Sequence, residues 1–453
     1  MSPSVSSRFA RVRALIKSIA DSHPLLVLLP ILPVYVSIPV LLGPGSNMGD
    51  EGIFLKFARN LVHGHYALAP GWTWLAHGPG LPLVLTPFVA AHAPILAARI
   101  VVGPAILFCA VAVFFKVADM VLDRKRALVC AYLFAAYWPF EKVLRVIYDE
   151  PLTVLLVVAL AHRIAVWSHS RRRRDVVITG VILAALALVR VEFGYLLIVW
   201  IIIAAGALAL RQRADVARYA LASSVLALIL CIPYLAYTQS VTDQYFYWSS
   251  SGGAQLYWMD TGRSQDEGDW HNPPLVFSDP NLAAHRALFR KIQARPPKDW
   301  DTELRNAAFR NIRQHPLLYV RNLVLNFSRQ VFNEPYSYTP FKWGTVLFYG
   351  LPSLVLIIAA GLSLRAIRRR RQAMSPAPLL LAWFSVTTFA LHTVVAAYAR
   401  MLVPIVPALA VVALYGARYI RSRRDGLSSD TPRAPLSGAR SVAHRGRGSP
   451  AEG

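Results

Sequence analysis

Residues 193–210, FGYLLIVWIIIAAGALAL, run for eighteen positions without one charged side chain. At about 1.5 Å per residue, a helix of that length covers roughly 27 Å, close to the ~30 Å hydrocarbon layer of a bilayer. A helix is also the open-chain structure that satisfies its own backbone hydrogen bonds there. Runs of the same kind recur near 25–43, 97–118, 127–140, 152–168, 176–189, 217–237, 343–364, 377–395 and 401–419. The run at 127–140 is short. The expectation is an all-α polytopic membrane protein with about ten transmembrane helices. Segment 80–94, GLPLVLTPFVAAHAP, is apolar but broken by Pro82, Pro87 and Pro94. It reads as a re-entrant or surface-lying helix, and a full crossing there would make eleven.

Composition supports the same solvent. Of 453 residues, 55% are hydrophobic and 16% charged, where a soluble domain carries roughly 25% charged residues. The formal net charge of +24 raises the question of a polyanionic partner. Its arginines, however, cluster at span ends: Arg8, Arg11, Arg13 and Lys17; Arg124 to Arg126; Arg171 to Arg174; Arg211, Arg213 and Arg218; Arg365 with Arg368 to Arg371; and the tail from Arg418. Those stretches fall on one side of the membrane. The short opposite loops hold only Lys56, Arg59, Lys142, Arg145, Arg190 and Arg400. The positive-inside rule then places both termini in the cytoplasm, with no nucleic acid needed to explain the charge. A crossing at 80–94 would break that alternation.

The expected organisation is a cytoplasmic N-terminus at 1–24 and a transmembrane core at 25–237 with a first outer loop at 44–96. A second outer segment follows at 238–342, then C-terminal spans at 343–420 and a basic cytoplasmic tail at 421–453. The tail lacks apolar periodicity and is rich in Ser, Pro, Gly and Arg, the composition of disorder. The first apolar run has no clean small-residue cleavage site and reads as a retained span. Cys109, Cys130 and Cys231 fall inside spans and form no disulfide framework or metal-ligand spacing. The Arg-rich, Lys-poor, Ala/Val/Leu-heavy composition points to a high-GC bacterium, hence the bacterial inner (plasma) membrane.

Two acidic pairs stand at the outer boundary. Gly49-Asp50-Glu51 follows the first span, and Asp149-Glu150-Pro151 opens the fourth. Adjacent helical residues diverge by about 100°, so Asp50 and Glu51 cannot aim at one atom; one faces a substrate while the other hydrogen-bonds or helps bind a metal. The competing reading is that Asp50 and Asp149 cap their helices. In the second outer segment, Tyr245, Phe246, Tyr247, Trp248, Tyr257 and Trp258 suggest a groove lining or an interfacial aromatic belt. Segment 315–332, HPLLYVRNLVLNFSRQVF, is apolar but interrupted by Arg321, Asn322, Asn326 and Arg329, as in a helix lying in the outer interface.

An Asp-Glu pair after the first span, followed by a helix and Gly78-Pro79-Gly80-Leu81-Pro82-Leu83, resembles the GT-C glycosyltransferase superfamily. The nearest types are the protein O-mannosyltransferases and the lipid A aminoarabinose transferases. Further matches are Tyr148-Asp149-Glu150-Pro151-Leu152, Ala187-Leu188-Val189-Arg190-Val191-Glu192, His315-Pro316-Leu317-Leu318-Tyr319, and Arg400 with Pro404 and Pro407. Where the pattern continues with an Arg-Tyr pair after Asp-Glu, this chain has Gly52-Ile53-Phe54.

The resemblance implies transfer of a sugar from a polyprenyl-phosphate donor to an envelope glycan, lipid or protein on the outer face. An acceptor hydroxyl must then lose a proton, and the lipid phosphate must leave with extra charge. A boundary carboxylate can take the proton, and arginine can stabilise the phosphate. Asp50 is the candidate base, with Glu51 beside it. Arg400, Arg190 and Arg145, together with His77 before the Gly-Pro turn, are the donor-phosphate candidates, and Lys142 is a further one. Arg190 has an alternative as the ion-pair partner of Glu192, and Arg400 one in snorkelling to the interface. Asp149 and Glu150 are the candidate ligands for a divalent metal (Mg or Mn), as in metal-dependent members. A transporter or flippase of lipid-linked sugars is the alternative; it calls for acids near mid-membrane and broken-helix repeats, and the sequence shows neither. A non-catalytic scaffold would tolerate loss of Asp50. A hydrolase would show a Ser/His/Asp elbow or a zinc-type His motif, and none is present.

Overall fold

The computed structural model describes residues 23–44, 49–69, 72–369, 375–396 and 398–424, with side chains to 421. Among these residues every regular element is a helix. The basic stretch at Arg8 to Lys17, Arg370 and Arg371, and the tail beyond 424 lie outside them.

Seven helices are long and apolar enough to span a bilayer: α1 (Pro24–Leu42), α4 (Ile95–Val121), α7 (Glu150–Ser170), α9 (Glu192–Ala209), α16 (Trp343–Arg369), α17 (Ala377–Val394) and α18 (Ala399–Arg421). An eighth crossing is split. The expected span at 217–237 breaks into α10 (Ala214–Leu230) and α11 (Ile232–Thr242), bent by 47°. Pro233 lies at the start of α11, where it has no N–H to continue the ladder of α10.

The other two expected spans are shorter than a crossing. The 127–140 run becomes α5 (Arg124–Ala135), 12 residues long, with the brief α6 (Phe140–Leu144) beyond it. The 176–189 run becomes α8 (Arg173–Val189), 17 residues long. Both are packed among longer neighbours. Ala127, Ala131 and Phe134 of α5 are buried, and Phe134 stacks on Phe114 of α4 with ring centres 4.3 Å apart. Small side chains at such contacts let membrane helices approach closely. Segment 80–94 forms the 11-residue α3 (Gly80–Ala90), too short to cross. It packs against α2 (Glu51–Val62) through Phe54, Ala58, Leu81 and Leu85.

Ion pairs fix which ends share a face. Arg163 near the end of α7 meets Asp175 of α8, Arg171 meets Asp215 of α10, and Asp123 before α5 meets Arg421 at the end of α18. These arginine-rich turns share one face. The starts of α7, α9 and α18 and the end of α8 meet on the other.

Over that second face sits a helical module made of α12 (Gly252–Met259), α13 (Arg286–Gln293) and α14 (Trp300–Gln314). Its core joins Trp258, Val276, Leu282, Phe289, Leu304 and Ala308. The stretch between α2 and α3 is stitched to it: Ser250 N–H donates to the Leu75 carbonyl at 2.9 Å, and Leu75 N–H donates to the Ser250 hydroxyl at 2.9 Å.

The 315–332 segment forms α15 (Pro316–Phe332), with its amphipathicity inverted relative to a soluble helix. Asn322, Asn326, Arg329 and Gln330 are buried, while Leu317, Val320, Val324 and Phe327 are exposed. Part of the polar face finds partners inside, while Asn322 Oδ1, Arg329 Nε and Gln330 Oε1 have no hydrogen bond among the described residues. Asn322 donates to the Met259 carbonyl at 3.0 Å, Asn326 to the His392 carbonyl at 3.0 Å, and Arg329 to the Glu267 carbonyl at 2.7 Å. Burial of these three donors is tolerable because each is hydrogen-bonded. The outward apolar stripe suits lipid.

Candidate functional site

A cavity of about 650 Å³ lies between the span ends and the helical module over them. Its floor is charged, carrying Asp50, Asp149, Glu150, Arg190, Glu192 and Arg400.

Asp50 is the N-terminal flanking residue of α2, yet its carboxylate makes no capping bond. It accepts a hydrogen bond from Arg400 Nη2 at 2.7 Å instead, with 24% of the side chain exposed. The helix-cap explanation for Asp50 therefore fails. Gly49 makes the approach feasible, because a Cβ there would lie 2.1 Å from the Tyr148 hydroxyl, and its φ of +53° suits glycine. Arg400 is itself stacked over Tyr148, 4.8 Å from the ring centre.

Burial raises the Asp50 carboxyl, but the charge of Arg400, followed by His77, the Arg400 hydrogen bond and Arg190, outweighs it and holds the group at about 2. His77 lines the cavity with its ring against Phe54, at 4.6 Å. Burial lowers the imidazole below its ordinary value, with Asp50 opposing and Arg400 and Arg190 reinforcing. His77 is thus biased toward the neutral form. The turn after it is pinned, since a Cβ on Gly78 would lie 2.1 Å from the Leu188 carbonyl and one on Gly80 2.6 Å from the Val189 side chain. The Gly-Pro-Gly segment is packed against the end of α8, next to Arg190.

Glu51 takes a different course. It is fully buried, and its carboxylate receives Arg99 Nη2 at 2.6 Å, Arg99 Nε at 2.9 Å and the Ile147 N–H at 2.9 Å. It does not line the cavity, so its expected place beside the base is corrected: it anchors α2 to α4 and to the approach of α7. Arg145 is also corrected. It pairs with Glu141 one helical turn away and stays outside the cavity, as does Lys142.

Arg190 joins three acids. Nη1 lies 3.1 Å from Glu150 and 3.4 Å from Asp149, and Nε 2.5 Å from Glu192. Glu150 also lies 3.7 Å from Arg400, which links the two halves of the floor. Burial pushes the Asp149 carboxyl well above the usual range; Arg190 opposes this, while Glu150 and Glu192 add to it. Like Asp50, Asp149 precedes its helix without capping it.

The metal expectation at Asp149 and Glu150 meets a different geometry. Among the described residues no group of three His, Cys, Asp or Glu is placed to hold an ion. Asp149 Oδ1 and Glu150 Oε1 are engaged with Arg190. Among the described residues these two acids are held by Arg190 and are not grouped with a third ligand.

The aromatic expectation is also corrected. Tyr247, Trp248, Tyr257 and Trp258 are core residues, none of them more than 6% exposed, and none of the six aromatics lines the cavity. Its walls carry Trp72, Trp74, Trp270 and Trp300 instead, with Gln255, Asn272 and Gln293 among them. Trp72 meets Trp300 edge-on at 6.1 Å. The sequence signals for these were a Trp-x-Trp pair and a Trp-His-Asn-Pro-Pro run outside any apolar span.

No protein-family profile matches the sequence, and no curated protein does. A similar solved structure is the archaeal oligosaccharyltransferase AglB from Archaeoglobus fulgidus, in complex with an inhibitory peptide and a dolichol-phosphate. The two superpose with a TM-score of 0.46 at 13% identity, over 91% of this chain and 53% of that one. This chain thus spans about half the length of that protein.

Proposed function

We propose that the cavity is the active site of a membrane glycosyltransferase of the GT-C type. It would move a sugar from a polyprenyl-phosphate-linked donor to a glycan, lipid or protein acceptor of the cell envelope. One observation carries this reading: a partly exposed carboxylate, Asp50, shares a cavity floor with the arginine that holds it, Arg400. Both lie at the boundary where a lipid phosphate and an aqueous acceptor can meet.

The chemistry needs a proton acceptor and a cation. The acceptor hydroxyl attacks the anomeric carbon and forms the new C–O bond; its proton goes to Asp50. The bond from the anomeric carbon to the phosphate oxygen breaks, and its electron pair stays on the phosphate. Arg400 is placed to stabilise that departing charge. While Arg400 is bound to Asp50, the carboxylate is a weak base. A donor phosphate competing for Arg400 would release Asp50, let its basicity rise, and so couple donor binding to activation of the base.

Asp149 fits the complementary role. Two carboxyls driven in opposite directions are a common sign of divided labour. Here Asp50 is held ionised, while Asp149 is pushed toward its protonated form. A protonated Asp149 lowers the negative charge of the floor and can donate a hydrogen bond to an anionic substrate. Arg190, already shared by three acids, organises the floor. The tryptophans above suit sugar faces, since aromatic rings pack on apolar C–H surfaces. The boundary position of the acids favours an enzyme over a flippase.

The test is transfer by the purified protein from a panel of polyprenyl-phosphate sugars to envelope fractions, read as released polyprenyl phosphate and labelled acceptor. Donor-dependent transfer that Asp50→Asn abolishes, with donor binding retained, supports the reading. Movement of intact lipid-linked sugar across vesicles without transfer would replace it with the flippase.

A further inference from the structure

A second cavity, of about 720 Å³, lies at the opposite ends of the same helices. It is walled by the later turns of α7 and α9, the early turns of α8, α10 and α17, and Arg368 on the last turn of α16. This is the face of the arginine-rich turns, remote from Asp50 and Arg400. We propose that it binds an anionic glycerophospholipid from that leaflet, with the phosphate at Arg213 and Arg368 and acyl chain in the cavity.

The walls are hydrocarbon in character. Leu160, Ile164, Leu183, Ile203, Trp383 and Phe384 supply much of the surface. Three of the hydroxyls inside are already paired: those of Thr179 and Tyr219 hydrogen-bond at 2.7 Å, and the Ser223 hydroxyl donates to the Tyr219 carbonyl at 2.7 Å. An apolar space of this kind does not hold water well. Hydrocarbon can fill it without breaking these hydrogen bonds.

The rim supplies the headgroup chemistry. Arg213 and Arg368 are both exposed, and the lining contains no acidic residue. Among the described residues neither makes an ion pair, whereas Arg163 and Arg171 on the same face are paired with Asp175 and Asp215. The rim arginines come from α16 and from the residue before α10, so they converge only in the fold. Two cations without counter-ions above an apolar cavity complement a phosphate with chains beneath it. Basic pockets between helices at this level of a membrane recognise anionic headgroups.

Gly206 offers a clean way to close the cavity. It lines the cavity, and a Cβ added there meets nothing within 4 Å. Gly206→Phe therefore adds bulk in open space and removes a helix-weakening glycine.

The experiment is native mass spectrometry of the full-length protein in detergent, titrated with phosphatidylglycerol or phosphatidylcholine carrying identical chains. Phosphatidylglycerol should bind at least about tenfold more tightly, which is the scale of two arginines beside a net anionic headgroup against one whose choline cation offsets the phosphate. Arg213→Gln/Arg368→Gln should erase that preference, and Gly206→Phe should weaken phosphatidylglycerol binding with both arginines intact. Equal binding of the two lipids by the wild-type protein, which needs no variant, overturns the proposal. So does unchanged phosphatidylglycerol binding in Gly206→Phe, which would put the headgroup on a basic surface without the cavity. Displacement by equimolar polyprenyl phosphate would assign the cavity to a different lipid and overturn it as well. None of these outcomes depends on sugar transfer.

Discussion

The chain writes Asp-Glu twice at the start of a helix, at 50–51 and at 149–150, and the fold uses the two copies differently. Both glutamates are fully buried and both aspartates line the cavity without capping their helices, but Glu150 lines the cavity as well and Glu51 does not. The neighbours make the difference. Asp50 meets Arg400 and is held at about 2; Asp149 shares Arg190 with Glu150 and Glu192 and is pushed well above its usual range. The same dipeptide thus meets opposite pressures: Asp50 is held ionised, and Asp149 is pushed toward its protonated form. Burial raises both carboxyls, and the charges around each decide how far that push is opposed.

The largest expected effect separates the two aspartates. Asp50→Asn should lower the rate of sugar transfer by roughly 10²- to 10⁴-fold, the scale of a lost general base. Asp149→Asn, which mimics a protonated carboxyl, should cost less than about tenfold. Both are measured as kcat for the purified proteins at saturating donor. Equal losses would erase the distinction, and a larger loss at Asp149 would move the base there.

Next comes the buried half of the first pair. Glu51→Gln leaves Arg99 without its counter-charge in a site where the arginine side chain is 10% exposed. Removing one partner of a buried ion pair costs about 3–5 kcal/mol, so the variant should melt lower in detergent. A double replacement, Glu51→Met with Arg99→Met, should recover much of the loss, because it leaves no orphan charge. Transfer per folded molecule should stay within about tenfold of wild type. A stable Glu51→Gln protein without activity would return Glu51 to the chemistry.

Much of this was legible in the chain. The apolar runs give the helical membrane class, and the two acidic pairs with Arg190, Arg400 and His77 mark residues that the fold gathers around one cavity. The roles within each pair were not legible, because they depend on Arg99 and Arg190, which approach from other helices. The tryptophan walls were hidden for a similar reason. Trp72 and Trp300 are more than 200 positions apart in sequence and are brought together by the stitching of residue 75 to residue 250. The aromatic run at 245–258 was more conspicuous, but it serves the core. The bend at Cys231 depends on one proline inside an otherwise continuous apolar run.

A smaller effect concerns pH. Asp50 has a folded value below its ordinary one, so its ionised form, and the stability it draws from Arg400, is complete above the ordinary carboxylate range. Both are lost only as pH falls toward about 2. The free enzyme, reported by kcat/KM, should therefore show no acid limb from Asp50 above about pH 4. The donor complex, reported by kcat, should show an acid limb about one unit or more higher, because the phosphate has taken Arg400. Arg400→Gln should raise the limb in kcat/KM, since burial then acts unopposed by that charge. Identical limbs in the two profiles would mean that the donor leaves the pair intact.

The smallest expected effect tests the charge balance itself. The floor places four carboxylates, Asp50, Asp149, Glu150 and Glu192, against two arginines, an excess of two negative charges when all are ionised. Two devices could relieve it: a proton on Asp149 or a divalent cation between the acids. The upward push on Asp149 favours the proton, and the spending of Asp149 Oδ1 and Glu150 Oε1 on Arg190 leaves no three-ligand set among the described residues. Chelation with EDTA should therefore change transfer by less than about twofold, and Asp149→Asn should respond to EDTA no differently. Loss of transfer in EDTA, restored by Mg²⁺ or Mn²⁺, would mean that Arg190 gives up its acids when substrate binds. The two aspartates would then differ as ligands and not as base and acid.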